Sequence, residues 1–344
     1  MIRVLVVEDS AVTREYLVML LEEDPALEVA GTARDGLEAV DQTERLKPDV
    51  IVMDVHMPRM NGYEATRRIM EQVPTPIVMV SASSSRYEAF QAFDALQAGA
   101  LVVMEKPGGP DHPDQAEATR RLLETVKLMA EVKVVRRWRK RERPVPSSRL
   151  PARPSRTIRL IAIGASTGGP QVLAQLLTKL PGDLAVPLLI VQHIAPGFTP
   201  GLVEWLSQAT RLRVKVAEPG EPVRPGTVYF APVDFQMGIA ADGRIRLAKE
   251  PAEDGFCPSA SYLFQSVAQS YGGAAIGVLL TGMGRDGAAG LLRLHEAGGV
   301  TMAQDEETSV IFGMPAEAIR LGAVEHVLSP ERIAEMIRCL VTAG

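Results

Sequence analysis

A short glycine-rich stretch at residues 164–168, Gly-Ala-Ser-Thr-Gly, has the composition and spacing of a turn that presents a serine nucleophile. It follows an apolar run and precedes Gly169-Pro170, which opens a helix-like pattern. A strand, a tight turn with serine and a helix form the elbow that exposes a nucleophilic hydroxyl. N–H groups at the start of that helix would face negative charge forming near Ser166. The stretch predicts nucleophilic chemistry at Ser166; the alternative is a glycine-rich turn without chemistry.

A serine nucleophile needs a base and an acid that orients the base. His193 ends another apolar run, and Asp286 follows a third run through a glycine-rich segment. Ligands bind at the carboxyl ends of strands in open parallel sheets, so Ser166, His193 and Asp286 are expected at one edge. The alternative for Asp286 is an N-cap of the helix-like segment 287–297. The chain order Ser, His, Asp differs from that of α/β-hydrolases and argues against that fold.

The N-terminal half places polar residues at the ends of four strand-like runs, 3–7, 49–53, 76–80 and 100–104. Helix-like segments alternate with these runs at 11–23, 36–46, 62–72 and 85–97. This alternation predicts a doubly wound parallel sheet of the flavodoxin-like order, in which the first and third strands are neighbours.

That strand order brings Glu8, Asp9 and Asp54 into one crevice. Three clustered carboxylates repel one another, and Mg²⁺ with Lys106 nearby would neutralise them. Such a site can accept a phosphoryl group on Asp54, with Ser81 as a hydrogen-bond donor to the new phosphate. Acidic caps at strand ends are the alternative, and they explain one of these five residues better than all of them.

Composition limits the class of protein. The chain has 344 residues, 46% apolar and 23% charged, which is typical of a globular protein of two or three domains. A net charge of −5 gives no global reason to expect nucleic-acid binding. Two cysteines suit a reducing cytoplasm, no apolar run approaches the roughly 20 residues of a membrane span, and no signal peptide is recognisable.

One segment departs from this composition. Residues 133–156 contain ten Lys and Arg against one Glu, with four prolines. The first part, to about Arg143, is expected to continue a helix from Asp114, and the rest to be a basic, proline-rich linker. The domains are therefore expected at 1–125 and 157–344, with a helix end and linker at 126–156. The alternative for the basic run is a nucleic-acid or acidic-membrane contact.

Both halves resemble known families. Residues 1–125 resemble a response-regulator receiver domain, on Val-Glu-Asp-Ser near the start, Met-Asp-Val-His-Met-Pro around Asp54, Ser81, and Lys106-Pro107. Residues 157–344 resemble the methylesterase domain of the chemotaxis CheB family. The matching segments are 163–170, Gln192-His193, 196–199, 281–287 and 303–315. The expected fold is two doubly wound parallel-sheet domains, a flavodoxin-like receiver and a Rossmann-like methylesterase domain.

The resemblance implies hydrolysis of glutamate methyl esters on methyl-accepting chemotaxis receptors, with methanol released, and glutamine deamidation. Ser166 would be the nucleophile, His193 the base and then the acid, and Asp286 its partner. Thr167 and the backbone N–H of Met283 would stabilise the oxyanion.

In the other half, the resemblance implies phosphorylation of Asp54 by a CheA-type histidine kinase, which would activate the esterase. Mg²⁺ would bind Glu8, Asp9 and Asp54, while Ser81 and Lys106 would contact the phosphate. Neither nucleic acid nor membrane insertion is expected.

His56 and Asn61 stand where the receiver family often has Glu and Asp, and neither is expected to abolish the metal site. Other departures from the families' usual residues concern the phosphorylation switch and the substrate cleft. Val103 replaces an aromatic switch residue, Gln236 replaces a common His, and the segment 255–257 (Gly-Phe-Cys) replaces basic or His residues. These departures motivate a second hypothesis, a receptor- or kinase-binding adaptor and phosphate sink with little esterase activity. A transcription factor is the third, and only the basic 133–156 segment supports it.

Overall fold

The computed structural model describes residues 1–81, 93, 95, 96, 98–109, 115–132, 134, 157–195, 197–250 and 255–341. The chain divides into two units, Met1–Val145 and Pro146–Gly344, each with its own parallel sheet. Most of the expected linker lies outside the described residues. The domain limits at 125 and 157 therefore stay predictions.

The first unit alternates strands and helices. Its strands are β1 Ile2–Val7, β2 Leu27–Ala33, β3 Val50–Asp54, β4 Ile77–Ser81 and β5 Val102–Glu105. Its helices are α1 Ala11–Glu22, α2 Gly36–Leu46, α3 Gly62–Gln72 and α4 Gln115–Glu131. All strands pair in parallel in the order β2-β1-β3-β4-β5, which confirms the predicted adjacency of the first and third strands.

The central strands of this unit, β3 and β4, are buried at every position. Apolar runs without alternation are what a parallel sheet with both faces covered requires. Side chains of Ser10, Asp35 and Asn61 cap the helices that follow and so end the loops after the strands. The helix expected at 85–97 lies mostly outside the described residues. Helix α4 ends at Glu131, short of the expected extension toward Arg143, most of which is also outside the described residues.

The second unit is larger. Its strands are β6 Leu160–Ala165, β7 Leu188–Gln192, β8 Arg213–Val216, β9 Thr227–Phe230, β10 Gln236–Ile239, β11 Ile245–Ala248, β12 Ala275–Leu279, β13 Val300–Gln304 and β14 His326–Leu328. Its helices are α5 Gly169–Thr178, α6 Phe198–Ala209, α7 Ala260–Tyr271, α8 Ala288–Glu296, α9 Met314–Arg320 and α10 Pro330–Val341.

Seven of these strands form a parallel sheet in the order β14-β13-β12-β6-β7-β9-β8, and β10 and β11 form a separate antiparallel pair. The chain builds outward from β6 on one side and later returns to its other side with β12. The strand order therefore reverses between β6 and β12, which is where open α/β sheets leave a crevice for ligands. The part of the chain that the structure describes contains no helix long and apolar enough to span a bilayer.

Candidate active site and acidic crevice

Ser166 lies immediately after β6, in the predicted turn. Its N–H donates to the carbonyl of Thr281 over 3.0 Å, and its own carbonyl accepts from Gly169 N–H over 2.8 Å. Gly168 then begins α5 with a φ of +77°, in the left-handed region that favours glycine. A Cβ placed on Gly282 would lie 2.6 Å from the Cβ of Ser166, so the neighbouring loop needs glycine to approach this close.

His193 and Asp286 meet beside this turn. Strands β6 and β7 pair Ala165 with Gln192, so Ser166 and His193 are the next residues at the same sheet edge. The Nε2 atom of His193 lies 2.8 Å from Oδ2 of Asp286. The side chain of His193 is 14% exposed, and that of Asp286 is fully buried. The structure therefore joins His193 to Asp286, and the register of β6 and β7 places Ser166 beside His193 at the same sheet edge.

Asp286 is held by donors from a helix distant in sequence. It accepts from the Ser259 hydroxyl over 2.9 Å, from the N–H groups of Ala260 and Ser261 over 2.7 and 3.0 Å, and from Gly287 N–H over 2.7 Å. The N-cap of the following helix α8 is Gly287, so this helix has no side-chain cap. The cap hypothesis for Asp286 was therefore wrong about which helix it serves, because its carboxylate faces the first turn of α7.

These contacts determine the charge of Asp286. Burial raises the pKa of Asp286, but hydrogen bonds from His193 and from the Ser261 and Ala260 N–H groups outweigh burial and hold the pKa far below its usual range. Because Asp286 is then a carboxylate, the proton of the shared bond belongs to Nε2 of His193. In the neutral imidazole, the Nδ1 atom then keeps a lone pair that can accept a proton.

Two loops at this edge are tied to each other. The Thr281 hydroxyl donates to the carbonyl of Thr167 over 3.0 Å and accepts from Ile311 N–H over 3.0 Å. The backbone N–H of Met283 makes no hydrogen bond to any described residue, which leaves it available to a ligand. The loop that begins with Thr281 can therefore offer the N–H of Met283 as a hydrogen-bond donor beside Ser166.

Two buried glutamines, whose structural roles the sequence did not predict, hold these segments. Gln192 donates from Nε2 to the carbonyls of Ser166 and His193 over 2.8 and 2.9 Å. Gln304 accepts from Thr281 N–H over 2.8 Å and donates to the carbonyl of Thr308 over 2.8 Å. Each is the last residue of a fully buried strand, and an amide at the end of an apolar run is the signal that could have revealed them.

The acidic crevice of the first unit assembles as predicted. One carboxylate oxygen from each of Glu8, Asp9 and Asp54 lies within 4.8 Å of the others. Lys106 Nζ lies 2.8 Å from Glu8 Oε2 and 3.0 Å from Asp54 Oδ2. Burial raises the pKa of both Glu8 and Asp54 despite this cation. Burial also lowers the pKa of Lys106, but the two carboxylates more than offset it and the pKa is raised.

One further residue of the crevice offers a hydrogen-bond donor. Ser81 ends β4, and its buried Oγ has no hydrogen-bond partner among the described residues. Lys106 N–H donates to the Ser81 carbonyl over 2.9 Å, which ties the two residues together. Three carboxylates at this spacing fit the oxygen ligands that Mg²⁺ prefers. Val103 lies on β5, half-buried, opposite Met79.

Comparison with known proteins matches both units. Residues 161–337 match the CheB methylesterase family, and residues 4–116 match the response regulator receiver domain. A protein-glutamate methylesterase/protein-glutamine glutaminase of Syntrophus aciditrophicus is 49% identical over 342 residues, 98% of this chain and 97% of the relative. One of Geobacter metallireducens is 50% identical over 344 residues, 99% of both chains. The crystal structure of the Thermotoga maritima CheB methylesterase catalytic domain is 39% identical, with a TM-score of 0.51, and covers 53% of this chain and 98% of its own.

Proposed function

The chain belongs to the CheB methylesterase family, and on that premise we propose that Ser166 hydrolyses glutamate methyl esters on chemoreceptors. The observation that carries this proposal is the 2.8 Å pair of His193 Nε2 and buried Asp286 Oδ2 at the sheet edge where Ser166 turns. It supports an esterase rather than a receptor-binding adaptor, because a buried carboxylate held by four other donors is hydrogen-bonded directly to His193.

Acylation uses the hydrogen-bonded pair of His193 and the ionised Asp286. As Ser166 Oγ attacks the ester carbonyl, His193 Nδ1 takes its proton, and Asp286 stabilises the imidazolium that forms. The developing oxyanion accepts hydrogen bonds from the N–H of Met283, which no described residue occupies, and from Thr167. The carbon–oxygen bond to the methoxy group then breaks, and the leaving oxygen takes the proton from His193 to form methanol.

Deacylation reverses the roles. His193 accepts a proton from water, which attacks the acyl group on Ser166. Collapse of the intermediate returns that proton to Ser166 Oγ and releases the glutamate side chain as a carboxylic acid, which ionises. A glutamine side chain enters the same sequence with ammonia as the leaving group, which agrees with the second activity in the names of the relatives.

The receiver unit accepts the phosphoryl group in this proposal. The Asp54 carboxylate attacks the phosphorus of a phosphohistidine on a CheA-type kinase, and the bond to the histidine nitrogen breaks. Lys106 pairs with a phosphoryl oxygen, and the Ser81 hydroxyl, which has no hydrogen-bond partner among the described residues, donates to another. Mg²⁺ held by Glu8, Asp9 and Asp54 supplies neutralisation of charge when bound.

Phosphorylation of Asp54 then raises esterase activity. It does so by shifting the equilibrium between a less active and a more active conformation of the protein. Phosphorylation replaces the negative charge of the Asp54 carboxylate with that of the phosphoryl group. Lys106 and Ser81 then contact phosphoryl oxygens. The cytoplasmic location expected from the sequence stays a prediction and agrees with a kinase donor.

The test is methanol release from methylated receptor membranes, measured for the wild type, Ser166→Ala and Asp54→Ala. Each is assayed with and without a small-molecule phosphodonor and Mg²⁺. We expect release by the wild type, none above background by Ser166→Ala, and acceleration by the donor in the wild type alone. Equal background release by the wild type and Ser166→Ala on several receptors would instead support the adaptor.

A further inference from the structure

Phe256 makes an unusual contact for an exposed aromatic residue. Its ring lies parallel to the His193 imidazole, with 4.7 Å between ring centroids and 5° between ring planes. The side chain stays 40% exposed, so burial in the hydrophobic core does not account for its place. Stacked rings of this kind are favourable when they are offset and close. The contact covers one face of the proposed base.

Gln236 holds the segment that carries Phe256. This side chain is fully buried at the start of β10. Its Nε2 donates to the carbonyl of Phe256 over 2.7 Å, and its Oε1 accepts from Ser259 N–H over 2.8 Å. Ser259 in turn donates from its hydroxyl to Asp286. One amide therefore joins the residue stacked on His193 to a residue that holds Asp286.

These contacts restrain the imidazole in complementary ways. The bond from Nε2 to Asp286 fixes one atom of His193, yet the ring can still tilt about that bond. A parallel ring against its face opposes the tilt and so sets the direction of Nδ1. Proton transfer depends on this direction, because the donor and acceptor must meet at hydrogen-bond distance and alignment.

We propose that Phe256, held in place by Gln236, is a positioning residue that fixes the ring plane of His193 for proton transfer with Ser166. The proposal rests on the esterase function. Substrate contact by Phe256 is the competing role, and it would act on KM rather than kcat.

The first variant is Phe256→Ala in the full-length protein, assayed for methanol release. Loss of the stacked ring should lower kcat roughly 3- to 10-fold and leave KM unchanged. Phe256→Tyr keeps a stacked ring and should restore kcat to within about twofold. Val327→Ala is the matched control, because Val327 is an apolar residue of similar exposure on the edge strand β14. Its kcat should equal that of the wild type.

The second variant is Gln236→Met, which keeps the length of the side chain and removes both hydrogen bonds. We expect a fall in kcat similar to that of Phe256→Ala. The double variant should be no more than about twofold below either single variant, because residues that act as a unit are not additive. Phe256→Ala still decides the proposal if Gln236→Met does not fold.

A readout independent of catalysis is the motion of the His193 ring, measured by NMR relaxation of its ¹³C-labelled imidazole. We expect greater ring motion in Phe256→Ala than in the wild type, and restriction restored in Phe256→Tyr. A rise in KM with unchanged kcat and unchanged ring motion would overturn the proposal in favour of substrate contact. If the wild type releases no methanol, the proposed function fails, and ring motion alone still judges the positioning role.

Discussion

The carboxylate of Asp286 accepts a 2.7 Å hydrogen bond from the backbone N–H of Ala260, at the start of helix α7. The first turn of a helix presents free N–H groups and the positive end of the helix dipole. The acid beside His193 is therefore kept ionised by a helix that precedes it by 26 residues in the chain.

Asp286→Asn should reduce methanol release by a factor on the order of 10³–10⁴, as in other serine enzymes that lose the carboxylate beside the base. The amide no longer stabilises the imidazolium, and it can donate to the histidine nitrogen and reverse its tautomer. Initial rates on methylated receptor membranes check this. Activity within about tenfold of the wild type would contradict the proposed role.

The same carboxylate should make stability depend on pH. The folded pKa of Asp286 lies below its unfolded value, so its stabilisation is complete above about pH 4 and is lost as pH falls through the folded pKa. At pH 7, Asp286→Asn should lower the free energy of unfolding by about 2–3 kcal/mol. Urea unfolding between pH 7 and pH 3 should show the difference from the wild type narrowing toward acid. A difference that widens toward acid would contradict the sign.

Asp54→Asn should stabilise the receiver unit by about 1 kcal/mol without Mg²⁺. The pKa values of Glu8 and Asp54 are raised, so each ionised carboxylate destabilises the folded state at neutral pH. The variant removes one of them and leaves Lys106 paired with Glu8 at 2.8 Å. Urea unfolding in a chelator, and again with Mg²⁺, is the measurement. Mg²⁺ should stabilise the wild type more than the variant, and the opposite order would exclude Asp54 from the metal site.

Gly282→Ala should lower methanol release at least about tenfold, because a small displacement of a catalytic loop has large effects on rate. The added Cβ would lie 2.6 Å from the Ser166 Cβ, so the loop of Met283 or the serine turn must move. Gly109→Ala is the control, since no described residue lies within 4 Å of the Cβ it adds. Full activity of Gly282→Ala would show that the loop tolerates displacement.

Much of both sites follows from local pattern. Apolar runs of strand length marked β6, β7 and β12, and parallel strands end at a common edge, so Ser166, His193 and Asp286 were expected together. The same reasoning brought Asp54 and Lys106 into one crevice. The four-residue strands of the β10–β11 pair were not predicted, because runs this short have little periodicity to distinguish them from loops.

The sequence by itself determined which strand ends carry reactive groups, because apolar patterning and the geometry of a parallel sheet depend on neighbouring residues. Only the tertiary structure decided which distant groups those residues contact. Helix α7, rather than α8, holds Asp286, and Gln236 brings Phe256 onto His193. Such contacts join segments far apart in the chain, and their partners are determined by packing and by the cost of leaving buried polar groups unpaired.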